Sequence, residues 1–326
     1  MGYQHLGRSG LLVSKIGLGT MNFGDATDEA VAFEIMNRAI DLGVNFFDSA
    51  DVYGGPQSPD MEQGFGTSEE IVGNWLTKSG HRDDIVLATK GYQPMGLGPN
   101  DRRLSAYHLK RACEASLRRL QTDHIDVYQM HHVDRSTPFD EIWQAMEQLI
   151  QEGKITYVGS SNYAGWDVAT AQMTANQRNT LGLISEQSIY NLTNRAIEQE
   201  LIPALEHFGI GLIPWSPLAM GVLAGRPKVG EQTARRALQG AQYQTLAKPL
   251  EAYETLCVEL GYAPAEVAQA WLLHQPIVST VIAGARTKTQ LETAVEALNV
   301  TLENDTLAQL DRIWPGPGVA PMSYAW

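Results

Sequence analysis

Four side chains in this sequence have the types and placement needed to move a proton: Asp48, Tyr53, Lys90 and His131. Asp48 ends the apolar run Val44-Asn45-Phe46-Phe47, and Tyr53 follows it in the loop Ser49-Ala50-Asp51-Val52-Tyr53-Gly54. Lys90 closes the run Ile85-Val86-Leu87-Ala88-Thr89, and His131 closes Ile125-Asp126-Val127-Tyr128-Gln129-Met130. A phenol titrates near pH ~10 and is a poor proton donor at neutrality. A buried ammonium beside it favours the phenolate and lowers its pKa, while a carboxylate on the far side keeps the lysine charged and oriented. The phenol then becomes a general acid for a carbonyl oxygen. Each residue also has a plain structural explanation: a turn aspartate, a packed loop tyrosine, a solvated lysine, a histidine satisfied by a neighbour. Joint placement at the ends of different strands is what those explanations leave out.

The elements that must hold these residues follow a regular beat. Tyr3-Gln4-His5-Leu6-Gly7 and Leu11-Leu12-Val13-Ser14-Lys15-Ile16, on either side of Arg8-Ser9-Gly10, read as a hairpin covering one end of the molecule. Ile16-Gly17-Leu18-Gly19-Thr20 is a glycine-rich strand, and Thr27-Asp28-Glu29 starts a helix with an N-cap and an acidic first turn. Thr67-Ser68-Glu69-Glu70 and Thr287-Lys288-Thr289-Gln290 have capping-box spacing and start two more. Leu109, Ala112, Cys113, Ser116, Leu117 and Leu120 fall at helical spacing. Further strands are read at Ile155 to Asn162, Leu183 to Gln187, Gly211 to Trp215 and Thr280 to Gly284. Strands alternating with helices in this number predict an α/β fold, a (β/α)8 TIM barrel with an N-terminal β-hairpin. The long irregular stretch after the seventh strand, Ser216 to Leu246, reads as a binding loop or lid.

An open doubly wound sheet is the rival. It calls for a Gly-x-Gly-x-x-Gly turn after its first strand, and Gly17-Leu18-Gly19-Thr20-Met21-Asn22 lacks the third glycine. No linker divides the chain, so residues 1–326 are expected to form one domain. A net charge of −13 speaks against nucleic acid as a partner, because phosphate binding needs a basic surface. No apolar run approaches a membrane span, and the N-terminal stretch lacks a signal-peptide pattern, so a cytoplasmic protein is expected. Cys113 and Cys257 read as small core residues. Nothing in the sequence specifies an oligomeric state.

The motifs Leu6-Gly7-Arg8-Ser9-Gly10-Leu11, Asp48-Ser49-Ala50 with Tyr53-Gly54, Thr89-Lys90, Tyr128-Gln129-Met130-His131, Gly159-Ser160-Ser161-Asn162 and Trp215-Ser216-Pro217-Leu218 together resemble the aldo-keto reductase superfamily. The resemblance runs from Tyr3 to Asp311 and is nearer the bacterial reductases and potassium-channel β subunits than the aldose-reductase branch. It implies that Asp48, Tyr53, Lys90 and His131 are catalytic, with Tyr53 the proton donor and His131 orienting the carbonyl. It implies NADP(H) as cofactor, reached by Thr20, Met21 and Asp48. Ser161, Asn162 and Gln187 would hold the nicotinamide amide, and Trp215 would stack on its ring. Ser216, Pro217, Leu218, Gly221 and Arg226 would cover the pyrophosphate, and Gly284, Arg286 and Gln290 would meet the adenosine end. The implied activity is an NADP-dependent oxidoreductase acting on CH-OH groups, reducing an aldehyde or ketone. A non-catalytic NADP(H)-binding regulator is the alternative.

Two departures and one competing reading accompany the resemblance. Thr293-Ala294 stands where many relatives carry a Glu-Asn pair that holds adenine. The tail from Pro315 to Trp326 is too rich in proline and glycine for a helix, and either lines the substrate pocket or is an unstructured end. His132 and Asp134 beside His131 would fit a metal-dependent barrel hydrolase, but the other strand ends carry Lys90, Gln187 and Trp215, which are poor ligands, so no metal is expected. Met21, Phe23, Tyr92, Met95 and Trp215 at the rim favour a small neutral carbonyl compound or sugar over a carboxylate substrate. Trp215 taken alone, a tryptophan ending an apolar strand, is more often a packing residue than a stacking platform.

Overall fold

The computed structural model describes residues 1–58, 60–225 and 246–325. Strands β1 (Tyr3–His5) and β2 (Leu12–Ser14) form the antiparallel hairpin. The barrel strands are β3 (Ile16–Gly19), β4 (Phe46–Asp48), β5 (Val86–Gly91), β6 (Ile125–Met130), β7 (Ile155–Ser161), β8 (Leu183–Ile189), β9 (Gly211–Trp215) and β10 (Val281–Ala283). All eight are parallel, in the order β10-β3-β4-β5-β6-β7-β8-β9. The seam is drawn together just before β10, where Leu212 N–H donates to Ile277 O at 2.9 Å and Ser279 N–H to Leu212 O at 2.8 Å. This is the predicted (β/α)8 TIM barrel.

Helices α1 (Glu29–Asp41), α2 (Thr67–Ser79), α3 (Ala106–Leu120), α4 (Phe139–Gln151), α5 (Gly165–Gln177) and α6 (Leu201–Phe208) follow β3 to β8 in turn. After β9 come α7 (Ala247–Leu260) and α8 (Pro264–Leu273), and after β10 come α9 (Lys288–Glu296), α10 (Asn304–Ile313) and α11 (Met322–Ala325). Asp28 caps α1 as expected, its carboxylate accepting from Val31 N–H at 2.9 Å. The capping box expected at Thr67 is not formed: Gly66, in the left-handed region, is the N-cap. Thr67 is already the first helical residue, so Thr67 and Glu70 do not occupy the two ends of a box; Glu69 turns inward, accepting from Thr89 Oγ1 at 2.6 Å and Arg119 Nε at 2.7 Å, the cation that a fully buried carboxylate requires. The tail differs from expectation as well. After Pro321 it makes a helical turn, with Ala325 N–H donating to Pro321 O, since proline is tolerated at the first position of a helix.

Strand pleating sorts the side chains. Phe46, Val86, Ala88, Val127, Ile184, Ile213 and Ile282 fill the barrel, joined by Leu6 and Val13 from the hairpin. The hairpin thus plugs the end away from the rim. Gly7 (φ +55°) lies against Ile184 O, Gly209 O and Gly211 N, so closely that no side chain fits. Asp48, Lys90 and Gln129 lie one pleat further along the same inward faces, and Gln187 reaches them from β8, three residues beyond Ile184 across an irregularity in the β7–β8 register. Leu87 and Tyr128 face outward, in the core shared with the helices, as do Cys113 and Cys257. Phe23, expected at the rim, is fully buried in that outer core, because the turn closed by Phe23 N–H on Thr20 O at 2.9 Å folds its ring inward. No described helix is long and apolar enough to cross a membrane.

Candidate active site

The loop after β4 decides where the phenol sits. Ser49 N–H donates to Ala88 O at 2.9 Å, Asp51 N–H to Lys90 O at 3.1 Å and Tyr53 N–H to Ala50 O at 3.2 Å, which wraps the segment over the end of β5. Gly54 (φ +118°) then passes close against Thr67 and Ser68 at the start of α2, a conformation and a gap that only glycine accepts. The result sets Tyr53 above Lys90.

Lys90 is fully buried. Its Nζ donates to Asp48 Oδ2 at 2.6 Å, Ser49 O at 2.8 Å and Tyr53 Oη at 3.1 Å, which uses all three ammonium protons. The other Asp48 oxygen, Oδ1, accepts from Gln129 Nε2 and Gln187 Nε2, each at 2.9 Å. An isolated ion here would be costly to bury; a paired one with every proton and lone pair directed is tolerated. Burial alone would make Lys90 lose its proton, but Asp48 and Tyr53 outweigh it and hold the ammonium above its ordinary pKa. The phenol departs from expectation. Burial pushes Tyr53 above its ordinary value, Lys90 pulls it down by less, and Asp48 adds to the rise. Lys90 acts in the expected direction, but dehydration of the phenolate is the larger effect.

His131 stands edge-on to Tyr53, ring centroids 5.7 Å apart, and stacks on His132 at 5.0 Å, which in turn meets Tyr92 at 5.3 Å. Burial, then the nearby Lys90 charge, holds His131 well below the usual imidazole range, so the ring is neutral. Its Nδ1 is buried with no partner among the described residues. A buried lone pair is less costly to leave unpaired than a buried N–H, which favours the tautomer with the proton on Nε2. Asp134 is spent locally, accepting from Ser136, Thr137 and Leu104, and among the described residues no group of three or more His, Cys, Asp or Glu is placed to hold a metal.

The residues assigned to a cofactor fall into three groups. At the end of β7, Asn162 (φ +59°) accepts from Trp215 Nε1 at 3.1 Å and donates to His131 O at 3.2 Å and Ser161 Oγ at 3.0 Å, while Ser161 Oγ donates to Gln187 O at 2.8 Å. Trp215 is thereby fixed as a half-buried ring on the Asn162 side of His131. Asn162 has both amide atoms engaged, and Gln187 has only Oε1 without a partner among the described residues. Fully buried Thr20 is tied to Ser68 Oγ at 2.8 Å and Asp48 O at 3.2 Å, whereas half-buried Met21 packs with Met61 beside Ala50, Val52 and Tyr53. After β9, Ser216, Ala219, Met220 and Gly221 all have positive φ. Ser216 Oγ accepts from Met220 N–H at 3.0 Å, Pro217 is buried and Leu218 packs on the core. Strained backbone of this kind in a loop marks a site whose shape is imposed from outside the loop. Arg226 lies outside the described residues.

The third group is the start of α9. Thr287 Oγ1 caps it, accepting from Gln290 N–H at 3.2 Å, and Gln290 Oε1 reaches back to Arg286 N–H at 2.8 Å. Lys288 pairs with Glu34 at 3.0 Å, while the Arg286 guanidinium has no partner among the described residues. Gly284 O accepts from Asn22 Nδ2 at 2.9 Å, and Ala294 is buried against the core. Gln129 is the residue the sequence reading passed over. Its signal was present: a polar residue one pleat beyond Val127 on an inward face must find a partner, and that partner is Asp48.

The fold agrees with comparisons to known proteins. The chain is 46% identical over its whole length to an uncharacterized oxidoreductase, YrpG, of Bacillus subtilis (strain 168), covering all of that protein too. It is 36% identical to a probable voltage-gated potassium channel subunit beta of Oryza sativa subsp. japonica, over 92% of each chain. It is 32% identical to versiconal hemiacetal acetate reductase of Aspergillus parasiticus, over 98% of this chain and 99% of that one. With residues 15–315 matching the Aldo/keto reductase family, and the barrel and rim charges in place, the chain belongs to that family.

Proposed function

We propose that this protein reduces an aldehyde or ketone to the alcohol with NADPH, Tyr53 being the proton donor. The observation that carries this reading is the buried Lys90 ammonium within hydrogen-bonding distance of both Asp48 and Tyr53. NADPH, when bound, supplies the hydride. Everything else is done by the chain. Neutral His131, donating from Nε2, orients the carbonyl oxygen toward the phenol. Tyr53 Oη releases its proton to that oxygen, and Lys90 stabilises the phenolate as it forms. Asp48, fixed by Gln129 and Gln187, keeps the ammonium charged and aimed. Trp215, held by Asn162, is the surface for the nicotinamide ring, with Ser161 and the free Oε1 of Gln187 beside it. Met21, Met61, Tyr92 and His132 give the mouth an apolar and aromatic character that suits a small neutral carbonyl compound.

The start of α9 supports NADPH over NADH. An anion there would meet free N–H groups of a helix end and a guanidinium that no described carboxylate neutralises. Lys288 is shared with Glu34 and Gln290 is occupied by the cap, so discrimination rests on Arg286. Arg286→Ala is expected to raise the Kd for NADPH by roughly tenfold, the scale of one lost charge-assisted contact of about 1.5 kcal/mol, and to leave that for NADH nearly unchanged. Fluorescence titration of both cofactors checks it; a parallel loss for both would show that Arg286 does not read the phosphate. A panel of aldehydes, ketones and sugars, scored by loss of nicotinamide absorbance, tests the activity itself. Added chelator is expected to change nothing in that assay. Cofactor binding with no reduction across the panel would favour a regulatory subunit, the reading that likeness to the channel β subunit supports.

A further inference from the structure

The loop that carries Tyr53 holds an acid for which the reaction above has no use. Asp51 is fully buried, and neither of its carboxyl oxygens has a side-chain hydrogen-bond partner among the described residues; the Val52 backbone N–H lies near enough to favour the charged form but falls short of hydrogen-bond geometry. Its backbone N–H is fixed on Lys90 O at 3.1 Å, which pins it against the end of β5. The next residue of that strand, Gly91, leaves no room for a Cβ beside the Tyr128 hydroxyl. That hydroxyl is also fully buried and also without a partner among the described residues. Two unsatisfied polar groups therefore lie against the same Lys90–Gly91 strand end, next to the proton donor.

The charged neighbours cannot serve Asp51. From α2 it faces Glu69, from α3 Arg119, from β5 Lys90, with the phenols of Tyr53 on its own loop and Tyr128 on β6. Arg119 Nε is bound to Glu69 at 2.7 Å, and all three Lys90 protons are committed. An ionised Asp51 would be a buried anion with no side-chain donor, and such a group takes up a proton instead. Burial and then the Glu69 charge push its pKa the same way, well above the ordinary carboxyl range, with Arg119, the Val52 backbone N–H and Lys90 opposing by less.

We propose that Asp51 is a positioning residue, held as a neutral carboxylic acid beneath Tyr53 in a polar pocket shared with the Tyr128 hydroxyl, and that its ionisation sets the alkaline limit of carbonyl reduction. The physical reason is charge. Tyr53 becomes negative as it gives up its proton, and a second carboxylate beside it would oppose that change, whereas a neutral acid does not. The kinetic half of this inference rests on the proposed reductase activity; the protonation state does not.

The test therefore reads protonation directly. Infrared difference spectra of the NADPH-loaded protein, wild type minus Asp51→Asn, are expected to show a protonated-carboxyl C=O band at pH 7 that fades as pH rises. Thermal stability gives a second reading. The native protein keeps a proton on Asp51 that the unfolded chain releases near pH ~4, so wild-type stability falls as pH rises from there toward the native ionisation. Asp51→Asn lacks that fall, and its Tm relative to wild type is expected to climb steadily between pH 5 and 8. In single-turnover reduction the alkaline decline of wild type is expected to move to higher pH in Asp51→Asn, where only loss of the Tyr53 proton limits the rate. Should that variant not fold, the band is read in wild type carrying 13C-labelled aspartate, where Tyr128→Phe is expected to shift its frequency. No protonated-carboxyl band at pH 7 overturns the proposal, as does an alkaline limb that is the same in wild type and Asp51→Asn. A protein that shows the band but reduces no carbonyl compound counts against the reductase reading and not against the neutral acid.

Discussion

Tyr53→Phe is expected to bind NADPH normally and to lose carbonyl reduction by about a hundredfold or more, the scale of a removed general acid. The phenol is the one acidic group that meets Lys90 and stands edge-on to His131, so no neighbouring side chain can take its place. The ring remains to fill the space between Ala50, Val52 and the two methionines, so folding is expected to survive. Removing the hydroxyl leaves one Lys90 proton without its acceptor, a cost of about 1 kcal/mol. Single-turnover kinetics with saturating cofactor, compared with fluorescence titration of NADPH, separate the two effects. Full activity in this variant would sink the proton-donor assignment.

Lys90→Met is expected to do comparable harm to the rate and more to stability. Without the ammonium, burial and the Asp48 charge both push the phenol further from useful acidity. Asp48 is left as a buried carboxylate with two amide donors and no cation, and breaking a buried pair in this way costs roughly 3–5 kcal/mol. The double variant Lys90→Met/Asp48→Asn distinguishes the contributions, because it removes the stranded charge. It is expected to recover most of the lost Tm and none of the lost rate. Recovery of both would mean that Lys90 serves folding alone.

Much of this was legible before any coordinates. Alternation of apolar strands with amphipathic helices specified the barrel, because a strand buried on both faces and a helix buried on one have different periodicities. Polar residues ending apolar runs marked the rim, and period-two pleating placed Asp48, Lys90 and the end of β6 on one side of it. Local rules were weaker where a tertiary demand competed. Thr67 and Glu70 have the spacing of a capping box, yet the left-handed Gly66 before them is the N-cap and Thr67 is already helical. Phe23 reads as a rim aromatic, yet a turn buries it.

The sequence by itself therefore determined the architecture, the family resemblance and which polar residues end the strands at the rim, all of which depend on residue type and short-range order. Only the tertiary structure decided their electrostatics. Gln129 and Gln187 meet on one Asp48 oxygen from strands β6 and β8, a convergence that no spacing within either strand encodes. The direction of the Tyr53 shift turns on how completely the site is dehydrated, since Lys90 and burial oppose each other and their balance is a property of the closed barrel. Asp51 looks like any loop carboxylate in the sequence. It becomes a group that must keep its proton only because α2, α3 and the strand ends enclose it while their own charges are already paired.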